Sequence, residues 1–363
     1  MSKTLPLRAD TVGSYLRSKT LKEARANFWV GKIERNQLQQ IEDAEIAELV
    51  QQQLNAGIQV ITDGEFRRSW WHLDFLANLN GIEVFIPAFR RVFQGVEARQ
   101  ENTRVCGKVS WNDNHPFIAH YRKLAEIVGD RGIVKFTIPS PNQMLHPYLW
   151  DTGVYANKDE FVADLQQAYK DAIQAFYNAG CRYLQIDDVY WGVLCNNHDQ
   201  PTFEDDKRYA LANVQAILAD KPADMTITTH VCRGNYKSTY SLTGAYDPIA
   251  ADLFGKTAFD GYFLEYDTER AGGFEPLKHF NDNPHKGRVV LGLVTSKFAD
   301  LEDKEAVKAR IAEAAKYVPL DQLCLSPQCG FSSTEEGNTL TIEEQWAKVR
   351  LVEEIAKEVW GED

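Results

Sequence analysis

The feature that most constrains this chain is an alternation. Short β-branched and aromatic runs alternate with longer helical patterns from one end to the other. Strand candidates fall at 58–62 (IQVIT), 132–138 (GIVKFTI), 182–187 (RYLQID), 225–230 (MTITTH), 260–266 (DGYFLEY), 288–293 (RVVLGL) and 322–326 (QLCLS). An opening strand near Asp10–Gly13 makes eight. Helical patterns run over about 40–56, 159–178, 203–219, 302–316 and 341–357, with Gly57 and Gly180 placed as helix stops. Strands separated by helices pair in parallel, because a parallel neighbour is reached only through a crossover. Eight such units predict an α/β fold of the (β/α)8 TIM-barrel type, and 363 residues suit one such domain, residues 1–363, with insertions. Two stretches break the rhythm. Residues 80–112 alternate in short runs and predict a β-hairpin excursion, and residues 233–246 are polar, aromatic and Gly-containing, as in a long βα loop.

Charge and cysteine usage narrow the function classes. Forty basic against 52 acidic residues leave a net charge of −12, which argues against non-specific nucleic-acid binding and against an anionic membrane surface. No stretch reaches the roughly eighteen apolar residues of a membrane span, and the basic residues of the first ten precede no apolar run of the kind a signal peptide carries. The six cysteines, Cys106, Cys181, Cys195, Cys232, Cys324 and Cys329, are therefore expected as reduced thiols in a cytoplasmic chain. Their chemistry would be metal binding or nucleophilic.

Reactive residues recur just after the expected strands: Asp63 and Glu65, Asp187 and Asp188, His230 and Cys232, Glu265, Ser296 and Lys297, and Cys329. In a barrel these positions converge on the C-terminal mouth, where active sites are built. His230-Val231-Cys232 is the sharpest local feature, since residues i and i+2 at a strand end point the same way. Imidazole and thiolate together suit zinc, whereas the plainer alternative is a buried Cys beside a capping His. Cys329 sits in a loop between Pro327 and Gly330 and offers a second thiolate, unlike Cys324 within its strand. Glu265 ends an apolar strand and must be coordinated or paired, for instance with Arg270 or Lys297. His230, Cys232, Glu265 and Cys329 make a set of up to four zinc ligands.

These motifs resemble a known family. THVCRGNY (229–236), LEYD (264–267) and SPQCGF (326–331) are similar to the zinc site of the cobalamin-independent methionine synthases. Asp10-Thr11-Val12-Gly13-Ser14 resembles their N-terminal Gly-Ser loop, and Asp63-Gly64-Glu65-Phe66-Arg67-Arg68 and Gln185-Ile186-Asp187-Asp188 resemble their amino-acid-binding motifs. The likeness extends from about residue 8 to 355, to the C-terminal catalytic barrel of that family in a short single-domain form.

The resemblance implies Zn2+ held by His230, Cys232, Glu265 and Cys329, and a methyl group moved from N5 of a methyl-folate to the sulfur of homocysteine. Glu65 and Asp187 would take the amino group of homocysteine, unless Arg67, Arg68 or Arg182 pairs with them instead. Backbone near Gly13 and Ser14 would take its carboxylate. The partners implied are small molecules.

Two departures bear on the methyl donor. The chain lacks the N-terminal barrel that helps the full-length enzymes hold a polyglutamylated folate. It also reads Leu293-Val294-Thr295-Ser296-Lys297 where those enzymes carry a His for proton transfer. An acid must then come from Asp188, His115, His146 or water. Trp70, Trp71, Trp111, Trp191 and Tyr236 are candidate stacking faces for a pterin. His72, His120, His198, His279 and His285 are left to surface or packing roles. Two alternatives stand beside this reading. One is a related zinc thiol-alkyltransferase using a corrinoid-protein donor or a coenzyme M type thiol. The other is a non-catalytic zinc-binding protein.

Overall fold

The computed structural model describes residues 4–89 and 92–361. Its strands, in chain order, are β1 (Val60–Ile61), β2 (Asn80–Phe85), β3 (Val92–Phe93), β4 (Val96–Glu97), β5 (Asn102–Ser110) and β6 (Ile133–Val134). They continue with β7 (Phe136–Pro139), β8 (Tyr183–Asp187), β9 (Thr226–Val231), β10 (Gly261–Glu265), β11 (Arg288–Val294) and β12 (Leu323–Pro327). Strands β7 to β12 lie side by side in chain order as one parallel six-stranded sheet. Every residue of β8, β10 and β12 is buried, as a parallel sheet covered by helices requires.

The hydrogen-bonded sheet is six strands wide rather than eight. β1 pairs in parallel only with β6, and a single residue, Lys135, separates β6 from β7. The strand expected near Asp10–Gly13 is replaced by two isolated parallel bridges, Ala9 to Leu325 and Ser14 to Gly64. Gly13 at φ +128° takes the backbone out of the extended region between them, which a continuous strand does not tolerate.

Helices Arg35–Asn55, Lys158–Asn178, Phe203–Ala219, Lys304–Ala314 and Ile342–Trp360 occupy the expected places. The last opens on a capping box between Thr341 and Glu344, and Asn157 caps the second by accepting from the Glu160 N–H. Helices Lys19–Trp29, Pro116–Val128, Val189–Asn196 and Asp247–Lys256 add to these. The stretch 80–112 leaves the alternation as an antiparallel pair, β2 with β5, from which β3 and β4 extend as a smaller hairpin. No helix among the described residues is long and apolar enough to cross a membrane.

Candidate metal centre and substrate pocket

Three segments, at the ends of β9, β10 and β12, deliver four donor groups to one point. One ligand atom each from His230, Cys232, Glu265 and Cys329 lies within 4.8 Å of the others, and all four side chains are buried. His230 is the last residue but one of β9, beside Phe263 of β10, and Glu265 is the last residue of β10. Cys232 and Cys329 stand just past β9 and β12, with their sulfurs 3.6 Å apart.

The surroundings of each donor suit a cation. His230 Nδ1 lies 3.3 Å from the Phe263 carbonyl, so Nδ1 carries the proton and donates, leaving Nε2 with its lone pair. That Nε2 is buried and has no hydrogen-bond partner. The Gly234 N–H donates to Cys232 Sγ at 3.2 Å, and the Arg233 N–H donates to Glu265 Oε1 at 2.9 Å. Glu265 Oε2 also meets Arg270 at 3.4 Å, so of the two pairings expected for this carboxylate the Arg270 one forms.

The two thiols divide the titration between them. The hydrogen bond from Cys232 lowers Cys329 well below the ordinary thiol range, with His230 and Lys297 adding to it, while Cys232 is raised by that same bond and by burial. Burial opposes the His230 imidazolium, yet the Cys329 sulfur, Asp187 and Glu265 lift its pKa above the usual value. Two thiols, an imidazole and a carboxylate in a water-poor cluster form a donor set of the N, S and O type that zinc takes.

A pocket of about 280 Å3 opens over this cluster, and His230, Cys232 and Cys329 form part of its wall. Ser14, Glu65 and Asp187 line the same pocket. Gly330, also in its wall, must be glycine, because a Cβ there would stand 1.9 Å from Ser14 Oγ.

Glu65 sits at φ +61°, directly after Gly64 at φ +65°. Its Oε1 accepts from Thr137 Oγ1 at 3.0 Å and meets Arg68 at 3.3 Å, while its buried Oε2 has no hydrogen-bond partner. Burial, and then Asp63, raise its pKa against the pull of Arg68 and Arg17. Asp187 is pushed up to about 7 by burial, with His230 pulling down and Glu65 pushing up. Of the arginines weighed as partners, Arg68 reaches Glu65, whereas Arg67 pairs with Glu42 and Asp43, and Arg182 with Asp224.

Other expected site residues stand apart from the pocket. Asp188, the next residue along from Asp187, accepts from Ser140 Oγ at 2.7 Å and Asn142 Nδ2 at 2.8 Å, caps the helix that follows, and is fully buried. His115 caps helix Pro116–Val128 and stacks on Trp111 at 4.9 Å, and burial lowers its pKa to about 4. Trp191 is fully buried in the core. Trp70, Trp71, Tyr236 and His146 do line the pocket, as does His72, which the sequence left to packing.

Two features had no sequence signal. Phe93 reaches the pocket from the β3–β4 hairpin. Arg17, nearly fully buried, donates to Ser332 Oγ at 2.7 Å and to the carbonyls of Glu65 at 2.7 Å and Arg68 at 2.9 Å. It thereby ties the Glu65 loop to the loop after Cys329.

The chain is similar in sequence and fold to several known proteins. Uncharacterized protein YxjH of Bacillus subtilis (strain 168) is 46% identical over 98% of this chain and 95% of its own length. A methionine synthase of Saccharolobus solfataricus is 25% identical over 91% of this chain and 90% of its own. A vitamin-B12-independent methionine synthase candidate from Listeria monocytogenes, solved by crystallography, superposes with a TM-score of 0.78 at 41% identity, covering 99% of this chain and 100% of that one. A B12-independent methionine synthase from Shewanella sp. W3-18-1, in complex with selenomethionine, shares the fold at a TM-score of 0.74 and 19% identity, over 97% of each chain. Residues 7–358 match the catalytic domain of the cobalamin-independent synthases, and the chain belongs to that family.

Proposed function

We propose that the protein is a zinc-dependent methyltransferase that moves a methyl group from a methyl-folate to the thiol of homocysteine, giving methionine. The observation that carries this reading is the meeting of His230, Cys232, Glu265 and Cys329 within 4.8 Å beside a pocket that also holds two carboxylates, Glu65 and Asp187. The same reading takes the segment from Ala9 to Ser14, bridged to Leu325 on one side and Gly64 on the other, as the closing strand of a (β/α)8 barrel.

The four ligands would hold zinc, and when bound there zinc supplies the Lewis acidity that lets a thiol lose its proton near neutral pH. Glu65 and Asp187 are paired with the acceptor's ammonium group, whose burial requires anionic partners. Ser14 and the backbone beside it are assigned to the acceptor's carboxylate. Trp70, Trp71 and Tyr236 offer the flat apolar wall a pterin needs. His146, in the pocket wall, is assigned the proton for the departing amine, which Asp188 is badly placed to give. Asp188 keeps a supporting role beneath Asp187.

A donor screen with zinc-loaded protein and homocysteine tests the reading. Methionine formed from a methyl-folate is the expected result. Turnover only with methylcobalamin or a methylated corrinoid protein would favour the related alkyltransferase, a second reading motivated by the missing His within 293–297. Zinc binding with no response to any thiol would leave a non-catalytic zinc protein.

A further inference from the structure

A chain of buried polar side chains runs beneath the pocket floor, and neither the ligand set nor the acceptor contacts use it. Lys135, in the break between β6 and β7, has no exposed surface, and neither do Asp10, Tyr183 and Gln185. Lys135 Nζ donates to Asp10 Oδ1 at 2.8 Å, to the Thr11 carbonyl, and to Gln185 Oε1 at 3.2 Å. The Tyr183 hydroxyl donates to Asp10 Oδ2 at 2.8 Å. Gln185 Nε2 in turn donates to the Val12 carbonyl and to Asp187 Oδ1, each at 2.8 Å.

Chemistry fixes the direction of this relay. An ammonium group has donors only, so the Gln185 amide must turn its oxygen toward Lys135. Its NH2 is then forced toward Asp187, where it holds Oδ1 and leaves Oδ2 for a ligand. Lys135 thereby joins the Val12 carbonyl in holding the amide this way round, and a neutral apolar residue at 135 removes the contact that anchors its oxygen. A buried ion pair is seldom the most stabilising way to fill a core, since apolar residues of similar volume often do as well or better. What the Lys135–Asp10 pair adds here is orientation.

We propose that Lys135, acting through Gln185, is a positioning residue that sets the Asp187 carboxylate to receive the ammonium group of the acceptor amino acid. The inference rests on the reading of homocysteine as acceptor. It makes Lys135 and Gln185 determinants of selectivity for an amino-acid thiol over the same thiol without its amino group.

Calorimetry on zinc-loaded protein tests this with homocysteine and with 4-mercaptobutyrate, its des-amino counterpart. Two variants break the relay differently. Gln185→Met removes the donor to Asp187, and the paired Lys135→Met/Asp10→Asn change removes both charges so that neither is left buried alone. In each, homocysteine should bind about 10- to 100-fold more weakly, as for loss of a hydrogen bond to a charged group, while 4-mercaptobutyrate changes little. In an Asp187→Asn background neither variant should weaken homocysteine further. Equal losses for both thiols, or losses that add in full to that of Asp187→Asn, would overturn the positioning role. So would undiminished homocysteine selectivity in the relay variants while Asp187→Asn alone abolishes it, an outcome that leaves the acceptor assignment intact. If Asp187→Asn itself spares that selectivity, the acceptor assignment falls and the inference falls with it.

Discussion

Cys232 and Cys329 lie 97 positions apart in the chain and meet sulfur to sulfur at 3.6 Å. Neither belongs to a disulfide. Burying two thiols against each other beside an imidazole and a carboxylate, with Cys329 held toward its thiolate, stores negative charge that a cation relieves.

The purified protein should therefore carry about one zinc per chain, as expected for a single four-donor site. Cys232→Ala and Cys329→Ser should each lose most of it, measured by elemental analysis after dialysis. Substituting Cys106, Cys181 or Cys195 should leave the metal content unchanged, since none of the three belongs to the cluster. Full retention in both ligand variants would refute the assigned set.

Asp187→Asn should weaken homocysteine use by roughly 30- to 3,000-fold, the consequence of truncating one partner of a buried charge pair at about 2–5 kcal/mol. Zinc content should stay normal, and thiols without an ammonium group should be affected far less. Steady-state kinetics with both thiol types reads the difference. Loss of zinc or of the fold would make Asp187 structural, and unchanged kinetics would move the alkyltransferase reading ahead.

Asp188 gives a pH signature. Burial pushes it up to about 6, against the hydrogen bonds from Ser140 and Asn142. The unfolded chain titrates this group near ~3.9, so the folded state binds more protons between those values. Its stabilising contribution is complete below about pH 4 and is lost as pH rises through about 6. The stability advantage of wild type over Asp188→Asn should accordingly shrink by about 3 kcal/mol between pH 4 and pH 7. Urea midpoints across that range test this, and parallel curves would contradict it.

Arg17→Lys should lower stability by on the order of 3 kcal/mol, because an ammonium cannot fork between two loops and leaves buried carbonyls without donors. Its present contacts include the carbonyls of Glu65, Arg68, Ser332 and Thr334. Denaturant unfolding reads the loss, and an unchanged midpoint would show that the clamp is dispensable.

The sheet strands from β8 onward were legible because each is a short run rich in apolar, aromatic or β-branched residues. The meeting of His230, Cys232, Glu265 and Cys329 was legible because each stands at or close to a strand end, where alternation fixes its direction. What the sequence hid depends on long-range placement. Asp187 and Asp188 are consecutive carboxylates on opposite sides of the backbone, and only the packing of Ser140 and Asn142 decides which of them faces away from the pocket. Lys135 passed unremarked within the expected strand 132–138, because its partner, Asp10, lies 125 positions away. The opening segment pairs through two isolated bridges rather than as a continuous strand, and nothing local announces that Gly13 turns to positive φ. Trp111 and Trp191 differ from Trp70 and Trp71 only in what covers them.

Gly64 and Glu65 form two consecutive left-handed residues, and the second is a conformation in which a side chain costs about 1 kcal/mol or more. Glu65→Gly would relax the backbone, but it would also take from the buried Arg68 guanidinium and the Thr137 hydroxyl the carboxylate they meet. A selection for thermal tolerance alone would thus have to weigh a relaxed turn against a broken buried ion pair. The strain at position 65 is held in place by the contacts it makes possible, so directed evolution for robustness would find little to gain there.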